Sequence, residues 1–66
     1  MANSFRRNIV RSMNGKIMMI EECRDHFIMI ANLYKADHPE YFDMFMRLAD
    51  YLDKFLDPAK SIRDSI

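Results

Sequence analysis

The sequence predicts an all-α protein, an antiparallel two-helix hairpin, on three observations. Two stretches carry apolar residues at three- and four-residue spacing. The segment between them carries the chemistry of a helix start. One Gly and two Pro are all that interrupt 66 residues. Half of the chain is apolar and 30% is charged, a globular rather than disordered profile. A chain this short buries only about 60% of its unfolded surface, so a lone monomer would be marginal, and dimerisation into a helical bundle or burial against a partner is expected.

Residues 1–15 are expected to form a basic N-terminal segment, frayed or as a short helix. Phe5, Ile9 and Met13 repeat every four residues, but Asn14-Gly15 follows, and Gly inside a helix costs about 1 kcal/mol relative to Ala. The hairpin domain is expected over 16–56. Its first helix spans Lys16 to Lys35 and buries Ile20, Cys23, Phe27, Ile30 and Tyr34, with Ile17, Arg24, Ile28 and Ala31 beside them. The turn falls near 36–39. Asp37 can cap the second helix while Glu40 reaches back to complete a capping box, with His38 as an alternative cap and Pro39 in the first turn, where its missing N–H costs little.

The second helix is expected from Pro39 to Leu56. Tyr41, Phe45, Leu48, Leu52 and Phe55 form its stripe, broadened by Phe42, Ala49 and Leu56, and Asp57-Pro58 ends it. Residues 57–66 then form a C-terminal tail. The apolar arcs exceed what one facing helix can cover, because Met18, Met19, Met29, Leu33, Met44, Met46 and Tyr51 lie off the main stripes.

Charge and cysteine content narrow the class. Net charge is zero, yet residues 1–16 carry Arg6, Arg7, Arg11 and Lys16 with no acid, whereas residues 37–57 carry six acids against Arg47 and Lys54. Four basic residues make a weak phosphate footprint, and the acidic second helix argues against nucleic acid as a partner. No apolar run is long enough to span a bilayer and no signal-peptide core follows the early arginines, so a cytoplasmic chain without a membrane partner is expected. The single Cys23 fits a reducing compartment. Cys23 and His26 have the i, i+3 spacing of metal ligands, but no second pair follows, and neither a metal site nor a cofactor of the chain's own is expected. A hairpin of this size has no cleft, so any catalysis would have to be completed on a partner's surface.

Within that frame the run Ile20-Glu21-Glu22-Cys23-Arg24, then Ile30-Ala31 and Tyr34, the turn His38-Pro39-Glu40, and Leu48 through Leu52-Asp53-Lys54-Phe55-Leu56 resembles the small sporulation-regulatory aspartyl-phosphate phosphatases, the stage-zero E family. The resemblance covers about Ile17 to Leu56. That family's second-helix signature reads Ser-Gln-Glu-Leu-Asp; Ala49-Asp50-Tyr51-Leu52-Asp53 stand at those positions, with Leu52 and Asp53 in agreement.

The resemblance implies a helical hairpin that dephosphorylates the aspartate of a response regulator in the sporulation phosphorelay, the partner supplying both phosphate and Mg2+. Asp53 would hold or deprotonate the attacking water, with Asp50 assisting. Arg47, Tyr51, Leu52 and Lys54 would contact the partner. Two alternatives stand beside it: a non-catalytic module that docks on a regulator, and a dimeric four-helix bundle that binds nucleic acid.

Overall fold

The computed structural model describes residues 2–66, which form two helices, α1 (Ala2–Tyr34) and α2 (Pro39–Ser65), packed antiparallel along their lengths. The Cα atoms fill a slab of 56 × 15 × 9 Å. Among the described residues all peptide bonds are trans and none has positive φ.

Both helices run past the ends expected from local signals. α1 passes through Asn14-Gly15 without a break, so residues 2–15 continue the first helix rather than forming a separate one. α2 passes through Asp57-Pro58 and continues for seven further residues, where a tail was expected. Extending a formed helix costs far less than nucleating one. Here the inner part of each extension also lies beside the other helix. Arg63 donates from Nη1 to Asn14 Oδ1 at 3.1 Å, and Lys60 Nζ lies 3.9 Å from Glu21 Oε2. Pro58 forfeits the bond its N–H would make to the Lys54 carbonyl, but it lies on the exposed side of α2, away from the packing against α1.

The turn also departs from the expected capping box. His38, not Asp37, occupies the cap position, with φ −137° and ψ 76°, and no side chain caps the helix. Backbone groups do that work. His38 N–H donates to the Tyr34 carbonyl at 2.8 Å and closes α1, while the His38 carbonyl accepts from Tyr41 and Phe42 N–H at 3.0 and 3.1 Å and opens α2. Glu40 reaches back to a ring rather than to a backbone donor, its Oε1 lying 3.3 Å from His38 Nδ1. Pro39 sits in the first turn as expected.

The buried core is Ile17, Ala31, Ala49 and Leu56. These define two rows of seven-residue spacing, 17-24-31 on α1 and 42-49-56-63 on α2, which form the line where the helices meet. Small Ala31 and Ala49 let the backbones approach; Ile17 and Leu56 fill the space beyond. The aromatic residues close the turn end. Phe27 stacks on Phe45 with centroids 5.9 Å apart, Tyr34 meets Tyr41 edge-on at 5.3 Å, and His38 stacks on Tyr41 at 4.7 Å.

The contact line is not the centre of the apolar stripes. Tyr41, Leu48 and Phe55, expected in the core, are 42%, 40% and 48% exposed, whereas Ala49 and Leu56 from the stripe's edge are buried. At 100° per residue the stripe's centre lies roughly a quarter-turn from the contact line on both helices. Because the helices are antiparallel, these offsets fall on the same side of the hairpin, which therefore has one apolar face and one polar face.

Candidate functional site

The polar face carries most of the residues expected to act. Arg24 is the exception to an otherwise apolar contact row, standing between Ile17 and Ala31. Its stem lies against α2 and its guanidinium emerges at the edge of the polar face, leaving the side chain 25% exposed. There Nη1 donates to Asp53 Oδ1 at 2.6 Å, while Nε and Nη2 lie 3.2 and 3.1 Å from Asp25 Oδ1. The Asp53 hydrogen bond, then that of Asp25, raises the Arg24 pKa above its already high value, so its charge is permanent.

Asp53 is thus an oriented carboxylate. One oxygen is engaged by Arg24 across the helix pair, yet the side chain stays 57% exposed and open to a partner. Asp50, one turn earlier, pairs instead with Lys54 within α2, Oδ2 to Nζ 3.4 Å, and Arg47 pairs with Asp43 at 3.0 Å. Each of these i, i+4 pairs has its acid N-terminal to its base, the favourable order on a helix, and exposed pairs of this kind contribute about 0.3–0.5 kcal/mol.

The chain matches no protein-family model, no curated protein and no solved structure.

The five signature-aligned positions do not share a face. Asp50 and Asp53 belong to the polar side, with Lys54 and Arg47 toward its outer edge. Ala49 is buried, and Leu52 is half-buried between the helices. Tyr51 turns to the apolar side, where its ring meets Phe55 edge-on at 4.9 Å and is 60% exposed. One rigid partner surface laid on the polar face would reach Asp50, Asp53 and Lys54, but not Leu52 or Tyr51.

Arg24 is the residue that sequence reasoning placed on the wrong footing. It was expected only as a neighbour of the apolar stripe, yet it holds Asp53. The signal was a single cation in a seven-residue apolar row, 17-24-31, which calls for a carboxylate opposite.

A shallow hollow of about 380 Å³ opens beside Glu40, Asp43, Met44, Arg47 and Leu48, and a second of about 210 Å³ beside Met19, Glu22, Cys23 and His26. Cys23 is exposed and forms no disulfide within the chain. Among the described residues no three His, Cys, Asp or Glu side chains converge to hold a metal ion. No helix of the described residues is long and apolar enough to cross a membrane.

Proposed function

We propose that the hairpin is a protein-docking module that works through its polar face, with the Arg24–Asp53 pair at the centre of the contact. One observation carries this reading: Asp53 is held at 2.6 Å by an arginine from the other helix while remaining 57% exposed. Such a carboxylate is already oriented, so a partner's donor would find it without the entropy loss of ordering a free side chain. Around it Asp25 and Asp50 add negative charge, which suits a partner surface rich in Lys or Arg. The experiment is affinity measurement with the full chain against candidate receiver domains, with Asp53→Asn and Arg24→Gln alongside. Loss of binding in both variants, with helicity retained, is the expected result; undiminished binding in both would refute the reading.

A second, finer reading keeps the chemistry implied by the resemblance, and the exposure of Asp53 favours it. On a phosphorylated receiver domain, the free oxygen of Asp53 would accept a proton from water attacking the acyl phosphate in line, and Arg24 beside it would offset phosphoryl charge. The receiver domain would supply Mg2+. The P–O bond to the receiver aspartate breaks, and inorganic phosphate leaves. Following phosphate loss from a phosphorylated receiver domain separates the two readings. Decay accelerated by the wild-type chain, and not accelerated by Asp53→Asn at concentrations that saturate its binding, supports catalysis, whereas binding of the wild type with an unchanged decay rate leaves docking alone.

A further inference from the structure

We infer that the apolar face of the hairpin is covered by a second copy of the chain, packed face to face and antiparallel, to give a four-helix bundle. The inference is independent of the proposed function, which uses the opposite face.

The displacement of the contact line is the first argument. In a helix with a single neighbour, the apolar arc is centred on that neighbour. In a four-helix bundle each helix touches two neighbours about a right angle apart, and its arc is centred between them. On both helices here the arc runs from the contact line through a second direction roughly a quarter-turn away, where a second neighbour of a bundle would lie. On α2 the row Tyr41, Leu48, Phe55, Ile62 keeps seven-residue spacing over three heptads and is 40–57% exposed throughout. A single-hairpin fold leaves that row without a purpose.

Charge identifies the occupant and its orientation. About the midpoint of the long axis, the open half of the hairpin (residues 1–19 and 57–66) has six Lys or Arg against two acids, net +4. The turn half (residues 20–56) has four Lys or Arg against eight acids, net −4. A copy related by a two-fold axis that lies in the interface, perpendicular to the long axis of the hairpin, sets the basic end of each chain beside the acidic end of the other. A parallel pairing would set like beside like. A membrane surface is a poorer match, since an interfacial helix is flanked by Lys and Arg, whereas the polar flank of α2 holds Asp43, Asp50, Asp53 and Asp57. The size also fits: a face 56 Å long and 15 Å wide offers on the order of 800 Å², the per-partner area of a standard stable interface.

The test is sedimentation of the full chain over a dilution series, with Leu48→Glu and Phe55→Glu on the apolar face and Met18→Glu on the other. The wild type and Met18→Glu are expected at twice the 7.9 kDa chain mass, and the two face variants at 7.9 kDa. Orientation is read from spin labels on the Cys23→Ser, Ala36→Cys chain. An antiparallel pair separates the turns by a distance approaching the 56 Å length of the hairpin, whereas a parallel pair brings them within about 10–20 Å, a helix spacing plus label arms. Wild-type chain at 7.9 kDa throughout, with or without partition onto anionic vesicles, overturns the inference, as does a short label distance. If the glutamate variants lose helix, the wild-type dilution series and the label distance decide.

Discussion

Shortening Leu56 to alanine removes the largest fully buried side chain of the hairpin, one left 2% exposed between α1 and α2. Buried Leu→Ala changes cost about 2–5 kcal/mol, the spread reflecting how far the site collapses. In a two-layer structure only 9 Å thick between Cα extremes, neighbours can shift into the gap, which places Leu56→Ala near the lower end, at about 2.5–3 kcal/mol. A single core of this size supplies roughly 3–5 kcal/mol, so the loss consumes most of it, roughly a hundredfold in the folding equilibrium. Urea unfolding followed by far-UV circular dichroism, at matched chain concentration, measures it. Leu33→Ala is the control, because Leu33 is 73% exposed and its truncation is expected to cost below about 0.5 kcal/mol. A Leu56→Ala cost below about 1 kcal/mol, or equal costs at the two positions, would refute the placement of the core.

Gly15→Ala is expected to stabilise by about 0.5–1 kcal/mol, since a Cβ at Gly15 meets nothing within 4 Å; for a chain of this size that raises Tm by roughly 4–8 °C per kcal/mol. Pro58→Ala restores an i→i−4 hydrogen bond inside α2 and should slow amide exchange in the residues after it, measured by hydrogen–deuterium exchange. Ala31→Leu and Ala49→Leu each force a large side chain where the helices are closest, at 0% and 3% exposure, and should cost about 1–3 kcal/mol in urea unfolding.

The hairpin, its turn and the start of α2 at Pro39 were legible in the sequence because each rests on near-neighbour physics. The outer parts of both helices were not. Gly15 and Pro58 are strong local stop signals, and what outweighs them is mutual: the residues around Asn14 lie beside the end of α2, and residues 57–65 beside α1, while residues 4–8 are exposed. Neither partner is visible from within its own segment. The stripes were legible but their aim was not, since periodicity locates the middle of an apolar arc and says nothing of how many neighbours share it. In the site, Asp50 and Asp53 lie about one turn apart on α2. The hold on Asp53 was missed because Arg24 lies 29 residues earlier and joins it only through the register of the packed helices.

Gly15 and Pro58 both lie beyond the Arg24–Asp53 pair as seen from the turn, while the aromatic rings of Phe27, Tyr34, Tyr41 and Phe45 all lie on the turn side of it. Cohesion is therefore graded from one end of the molecule to the other. Contacts near the turn join residues close in sequence and cost little loop entropy, so they form first. Zippering then runs outward past Arg24, and the termini close last. The same gradient works in reverse: under thermal fluctuation the chain ends part first, exposing Ile17 and Leu56 while the aromatic end still holds, which makes the termini the place where proteases and chaperones would first find purchase.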